Sequence, residues 1–241
     1  MPLLYERGLV GSSGLGVQLR GGVPIGPTKI NYAAYLINGP DFNTSFVSAG
    51  RLGFANHRDN NNNKSFGGRI GFLPIPELEF GGSLLSGRVG SSSGADHGVD
   101  TLALGIDLSY AREIDAIKGR LDLRAEYVWV NTDDAIFAGP VELFTFNNRR
   151  NGWFVQAAYR PTQVDVRLGD RIELKNFEFA LRYDQLRQPG PDRLGVDRDQ
   201  ITFGIDYWIL PNAVLKTGYV FDDAHGGVEQ NGIFMQMAVS F

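Results

Sequence analysis

Apolar and polar residues alternate one for one along most of this chain. In ITFGIDYWI, Ile201, Phe203, Ile205, Tyr207 and Ile209 fall on one side, with Thr202, Gly204, Asp206 and Trp208 between them. NFEFALRYD sets Phe177, Phe179, Leu181 and Tyr183 against Glu178, Ala180, Arg182 and Asp184. RLDLRAEYVWV and TLALGIDLSY repeat the pattern, as does the closing NGIFMQMAVSF, where Ile233, Met235, Met237, Val239 and Phe241 are apolar. Successive side chains of an extended backbone point to opposite faces, so a period of two means strand. No segment carries a 3.6-residue stripe, and no helix is expected.

Eleven strands follow, over about 14–24, 29–38, 64–75, 77–88, 99–112, 119–131, 149–161, 174–187, 197–210, 213–222 and 230–241. Short links (24–28, 74–77, 113–119, 211–212) alternate with long polar loops (39–63, 91–98, 132–148, 188–196, 223–229). The link TQVDVRLGDRIE, 162–173, breaks this rule with no evident reason. Short turns at one end and long loops at the other describe an all-β, transmembrane, up-and-down antiparallel barrel.

A soluble β-sandwich also alternates, with its apolar face buried against a second sheet. Three features favour the membrane barrel. The strands run about ten to fourteen residues, against the usual 5–6 and the roughly 9–11 that a tilted membrane strand needs. Large aromatics close both ends of the apolar faces: Tyr127, Trp129, Trp153, Tyr183 and Phe221 toward the long loops, Tyr110, Tyr159, Tyr207 and Phe241 toward the short turns. A bilayer selects such girdles at its two interfaces. The opposite face combines glycine with charge, which suits a wet lumen.

Composition excludes several functions. The net charge of −4 lacks the basic surplus of a nucleic-acid binder, so no nucleic acid is expected as partner. The absence of Cys removes disulfides, thiolate metal sites and Cys nucleophiles. The longest apolar run, Tyr32–Ile37, is far below the roughly 20 residues of a spanning helix. MPLLYERGLV has no apolar core of the kind a signal peptide carries. His57, His97 and His225 lie in long loops without a Ser and an acid at catalytic spacing, and a solvated role is expected for each. The acidic stretches 57–63 and 222–227 lack the spacing of a calcium loop. No enzyme activity, metal or cofactor is expected.

The remaining chemistry lies on the inward face. Alternation places Arg20, Arg69, Arg124, Arg160, Arg182 and Lys216 there, with Glu79, Asp107, Asp122, Glu126, Glu178, Asp184 and Asp206. These thirteen are candidate pore-lining residues that set ion preference. Equally, they pair across strands and merely keep the lumen wet and its wall stiff. Phe241, the terminal lipid-facing aromatic, is the candidate assembly signal.

Several stretches in order, YERGLVGSSGLGVQLRG, KINYAAYLING, FGGRIGFLPIPELEFGGS, GWFVQAAYRPT, FEFALRYDQL and DRDQITFGIDYWILPNAVLKTGYVF, resemble the phosphate-selective porin O and P family in its broad sense. That resemblance implies a sixteen-stranded channel of the bacterial outer membrane, often trimeric. It implies the lipid bilayer and lipopolysaccharide as surroundings, and insertion by the barrel-assembly machinery through the C-terminal strand. The chain then represents the C-terminal two-thirds of one barrel domain spanning 1–241. Residues 1–13 are the remnant of an extracellular loop, and 39–63 and 132–148 are long extracellular loops. Parity agrees: counted back from a periplasmic Phe241, eleven strands start the first one outside the cell. Either a strand has been overlooked, VSAGRLGFA (47–55) being the candidate, or the first strands precede Met1. The family's phosphate preference rests on a basic ladder and a constricting loop; six basic against seven acidic residues give no ground for carrying it over.

The expected function is a porin for passive diffusion of small hydrophilic solutes or ions, weakly selective. The alternative is a structural barrel plugged by its own loops, with AIFAGPVELFTF (135–146) notably apolar for an exposed loop. An outer-membrane hydrolase is the third and least favoured reading, because the triad is absent.

Overall fold

Each of the eleven alternating segments forms a strand. The computed structural model describes residues 1–11, 13–54, 62–94, 96–139, 141–169, 172–190, 195–225 and 228–240. The strands are β1 (Gly16–Ile25), β2 (Thr28–Ile37), β3 (Ser65–Ile75), β4 (Leu78–Arg88), β5 (Asp100–Ile114), β6 (Gly119–Thr132), β7 (Arg149–Arg160), β8 (Phe177–Gln188), β9 (Val196–Leu210), β10 (Ala213–Ala224) and β11 (Gly232–Val239). The expected ends differ from these by three residues at most. Each strand pairs antiparallel with its neighbours in sequence, giving one sheet in the order β1 to β11. β1 and β11 are its two edges, and they are not paired to each other.

The turns follow local chemistry. Between β1 and β2 the chain reverses over Gly26 and Pro27, with Gly26 at φ +59°, where glycine carries no steric penalty. The Thr28 hydroxyl donates to the Ile25 carbonyl at 2.8 Å and fastens that turn. Link 162–173, the unexplained exception, builds a small ribbon in which Arg167–Leu168 pairs with Ile172–Glu173. Lys175 braces it by an ion pair to Glu173 at 3.0 Å.

Two expectations are corrected. The proposed extra strand at 47–55 does not join the sheet over its described residues. Leu52–Gly53 instead pairs with Asp41–Phe42 in a two-residue ribbon, because the 3₁₀ turn Phe46–Ser48, followed by Gly50 at φ +72°, folds the chain back. The chain is also not free of helix: Leu3–Glu6 makes one α-helical turn, and three short 3₁₀ turns occur among the described residues. Elements of three or four residues are shorter than any period a sequence pattern can register.

The pairing register divides the sheet into two faces. Leu123, Tyr127, Trp153, Phe179, Tyr183, Phe203, Ile205 and Met237 share one, the apolar face. It is bare: Ile106 is 56 % exposed, Phe203 54 % and Ile70 64 %. Packing is found on the other face, where Leu85, Ala103, Val128, Phe154 and Leu186 join Leu3, Leu4, Leu9, Phe42, Leu52 and Phe137 in one buried cluster.

Candidate functional site: a charged face crossed by a strap

All thirteen candidate residues lie on this second face. Arg20 stands opposite Ala33, and Ala33 opposite Arg69; Asp107 stands opposite Glu126, which faces Phe154, which faces Asp184. Glu178, Asp206 and Lys216 form another such row. Each is placed by the same two-residue period that the sequence displays.

Most of these charges are engaged with one another. Arg69 donates to Asp107 from Nε and Nη2, at 3.0 and 2.5 Å, and to Glu79 from Nη1 at 2.7 Å. Its guanidinium lies flat because Gly71 and Gly81 sit beneath: a Cβ on Gly71 would overlap Glu79, and one on Gly81 would overlap Asp107 and Arg69. Arg124 pairs with Asp122 at 2.9 Å, Arg182 with Asp184 at 2.7 Å, and Lys216 with Asp206 at 3.4 Å. Trp208 Nε1 donates to Glu178 at 3.3 Å, while Arg160 stacks over the Trp208 ring at 5.0 Å and donates to the Lys175 carbonyl. Arg20 makes no such bond among the described residues.

Across this face runs the segment Met1–Val10, a strap that the period-two reading could not reveal. The Leu3 amide donates to Asp184 at 3.0 Å, the Tyr5 hydroxyl to Glu126 at 2.7 Å, and Arg7 Nη2 to the Gln230 side chain at 2.9 Å. Arg182 donates to the Met1 carbonyl at 2.9 Å. The strap's own Leu3, Leu4 and Leu9 are buried against the sheet. Burial and then the bond to Glu126 push the Tyr5 phenol well above its usual value, because both disfavour a phenolate there. The one hint in the sequence is three leucines within LLYERGL, a stretch with no alternation.

Loops 39–54 and 133–148 pack over the long-loop end of the same face. The Phe137 ring lies 5.7 Å from Phe42, 5.4 Å from Phe144 and 5.3 Å from Phe146, and Phe46 meets Phe144 edge-on at 5.5 Å. Here the phenylalanines of AIFAGPVELFTF find partners, whereas Ile136, Val141 and Leu143 stay exposed. Asn148 donates to the Gly50 carbonyl at 3.1 Å, and buried Arg150 reaches the Ala49 carbonyl. Burial, and then the nearby Arg7 charge, lower the Arg51 guanidinium below its usual value. Arg150 and the buried Arg198–Asp222 pair, 3.2 Å apart, are inward charges that the sequence reading missed. They lie just beyond the apolar runs, where alternation fades into loop.

His97 and His225 are loop residues, the latter 3.9 Å from Asp199. His57 and Phe241, the candidate assembly signal, lie outside the described residues. Among the described residues no three acidic or histidine side chains converge as metal ligands would. Comparison with known protein families, with curated proteins and with solved structures returned no match.

Proposed function

We propose that this chain forms most of the wall of a bacterial outer-membrane porin, weakly selective among small ions and hydrophilic solutes. One observation carries the reading: the apolar face is uncovered, while the strap and the long loops pack on the charged face. A sandwich would bury its apolar face against a second sheet, and the described residues outside the main sheet supply only two-residue ribbons. An apolar surface this continuous calls for a partner, and lipid is the partner that fits an aromatic-edged band. The length agrees: twelve residues of β8 rise about 40 Å at roughly 3.3 Å each, and a tilt of about 40° brings this near the bilayer core of roughly 30 Å.

Strand direction sets what closure would require. β1 and β11 both run from the long-loop end to the short-turn end, since an odd number of antiparallel strands ends as it begins. Direct closure would pair them in parallel. Copies inserted with the same sense would meet in parallel too. Antiparallel closure therefore takes an odd number of further strands, and five would complete the sixteen of the resembled porin family. Trimer formation, lipopolysaccharide contact and delivery by the barrel-assembly machinery belong to the same proposal.

Charge pairing accounts for weak selectivity. Nine of the thirteen candidates (Arg69, Glu79, Asp107, Asp122, Arg124, Arg182, Asp184, Asp206 and Lys216) stand in ion pairs, and opposite charges this close largely cancel within a Debye length of roughly 8 Å. The test is the reversal potential across a planar bilayer under a salt gradient, in KCl and then in phosphate. A value near zero fits; a strongly anion-selective potential with micromolar phosphate block overturns it. The phenylalanine cluster favours a second reading, a barrel plugged by its loops, in which the same bilayer shows no conductance.

A further inference from the structure

Above the Arg69 ion cluster, the charged face contains a recess with no charge in it. It has a volume of about 450 Å³. Val10, Tyr35, Ile37, Phe54, Leu85 and Val128 give it an apolar wall, and Gly16 and Gly105 line it on the sheet side. Its polar groups are few and uncharged: Ser13, Ser83 and Gln18, with the Tyr35 hydroxyl. Among the described lining residues there is no Asp, Glu, Lys, Arg or His. This is unusual for its position, because Arg69 stands directly opposite Ser83 in the neighbouring strand. Arg69 is kept out by its bonds to Glu79 and Asp107, over Gly71 and Gly81, one row toward the short turns.

We propose that this recess binds an uncharged small molecule built on one ring with a hydrogen-bonding substituent. Three observations identify that class. First, apolar walls with a few placed polar groups, at several hundred Å³, are the usual make-up of a small-molecule site. Second, benzene fills an apolar cavity of about 150 Å³, so three times that volume admits a substituted ring. Third, a carboxylate or ammonium entering here would lose its hydration with no opposite charge among the lining residues, which costs far more than an amide or hydroxyl meeting Ser83 and Gln18. Water in the recess has few polar partners, and a ring displaces it at little cost.

The inference rests on the porin reading only for how the solute arrives, so the two can fail separately. Benzamide is the probe, with benzoate as its charged counterpart of the same shape and inorganic phosphate as the polar control. Binding is measured by saturation-transfer NMR on the protein reconstituted in lipid nanodiscs, with empty nanodiscs subtracted. Benzamide should bind saturably, benzoate at least tenfold more weakly, and phosphate should leave benzamide binding unchanged. Ser83→Phe should abolish binding by filling the recess while retaining the heat-modifiable gel shift of a folded barrel. If Ser83→Phe does not fold, Ala103→Leu fills the same space with a smaller change. Benzoate binding as tight as benzamide, no saturable benzamide binding, or full binding by a folded filled variant each overturns the proposal. Conductance of the same preparation is recorded separately: a conducting protein that ignores benzamide refutes this inference alone, and a non-conducting protein that binds it refutes the porin reading alone.

Discussion

Replacing Leu4 by alanine should release the strap while leaving the sheet intact. Leu3, Leu4 and Leu9 are fully buried, and at about 2.5 kcal/mol each their burial contributes about 7 kcal/mol. The four strap hydrogen bonds to Asp184, Glu126, Gln230 and from Arg182 add about 6 kcal/mol, at about 1.5 each for bonds involving charge. Fixing the backbone of ten residues costs about 10 kcal/mol at the low end of roughly 1 kcal/mol per residue. Docking is thus favoured by only about 3 kcal/mol. Leu→Ala in a packed site removes about 3 kcal/mol, enough to bring the docked and open forms to balance. Arg7 reports the change, since trypsin cleaves after it only when the strap lifts and cleavage follows the open population. In the refolded protein, cutting at Arg7 should be at least tenfold faster in Leu4→Ala than in the parent, with the heat-modifiable gel shift retained. An unchanged cleavage rate in a folded Leu4→Ala protein would refute the reasoning, because it would mean that Leu4 burial does not hold the strap.

Gly81→Val should destabilise the folded protein by about 1–3 kcal/mol in urea titration by driving Asp107 and Arg69 apart, whereas Gly26→Ala, at φ +59° with nothing nearby, should cost only about 1 kcal/mol. Single cysteines at Arg124, Arg182, Asp206 and Gln236 should react with a water-soluble thiol reagent in the membrane, while those at Leu123, Phe179, Phe203, Ile205 and Met237 should not; mixed labelling within one strand contradicts the register. Deleting Phe241 should lower the folded fraction in outer membranes far more than it lowers the stability of barrels already inserted, and wild-type amounts of folded protein after deletion would remove its role in assembly.

What the sequence displayed was everything governed by nearest neighbours. A strand two residues in period writes its faces into the chain, so Arg124 and Leu123 fall on opposite sides of the sheet as alternation requires. The ion pairs Arg124–Asp122 and Arg182–Asp184, two apart on one strand, were equally legible. The strap was not, because Leu3 and Asp184 meet through a fold rather than a pattern. Nor was the Arg69 clamp, whose flat geometry needs two glycines on two strands and a carboxylate on a third. The loop phenylalanines stood out as too apolar to be exposed, yet nothing local indicated that Phe42 would meet Phe137.

The strap also has a consequence for the order of folding. Sheet pairing here is local: each hairpin closes between segments adjacent in the chain and can zip up one after another. The bond from Leu3 to Asp184 joins residues 181 positions apart, so it cannot form until the eighth strand has been laid down. Loop-closure entropy makes such distant contacts late events. The strap is therefore among the last parts of the fold to be set. Until then Asp184 and Arg182 meet water, and the growing sheet carries its ions hydrated, which spares it a dry, charged interior.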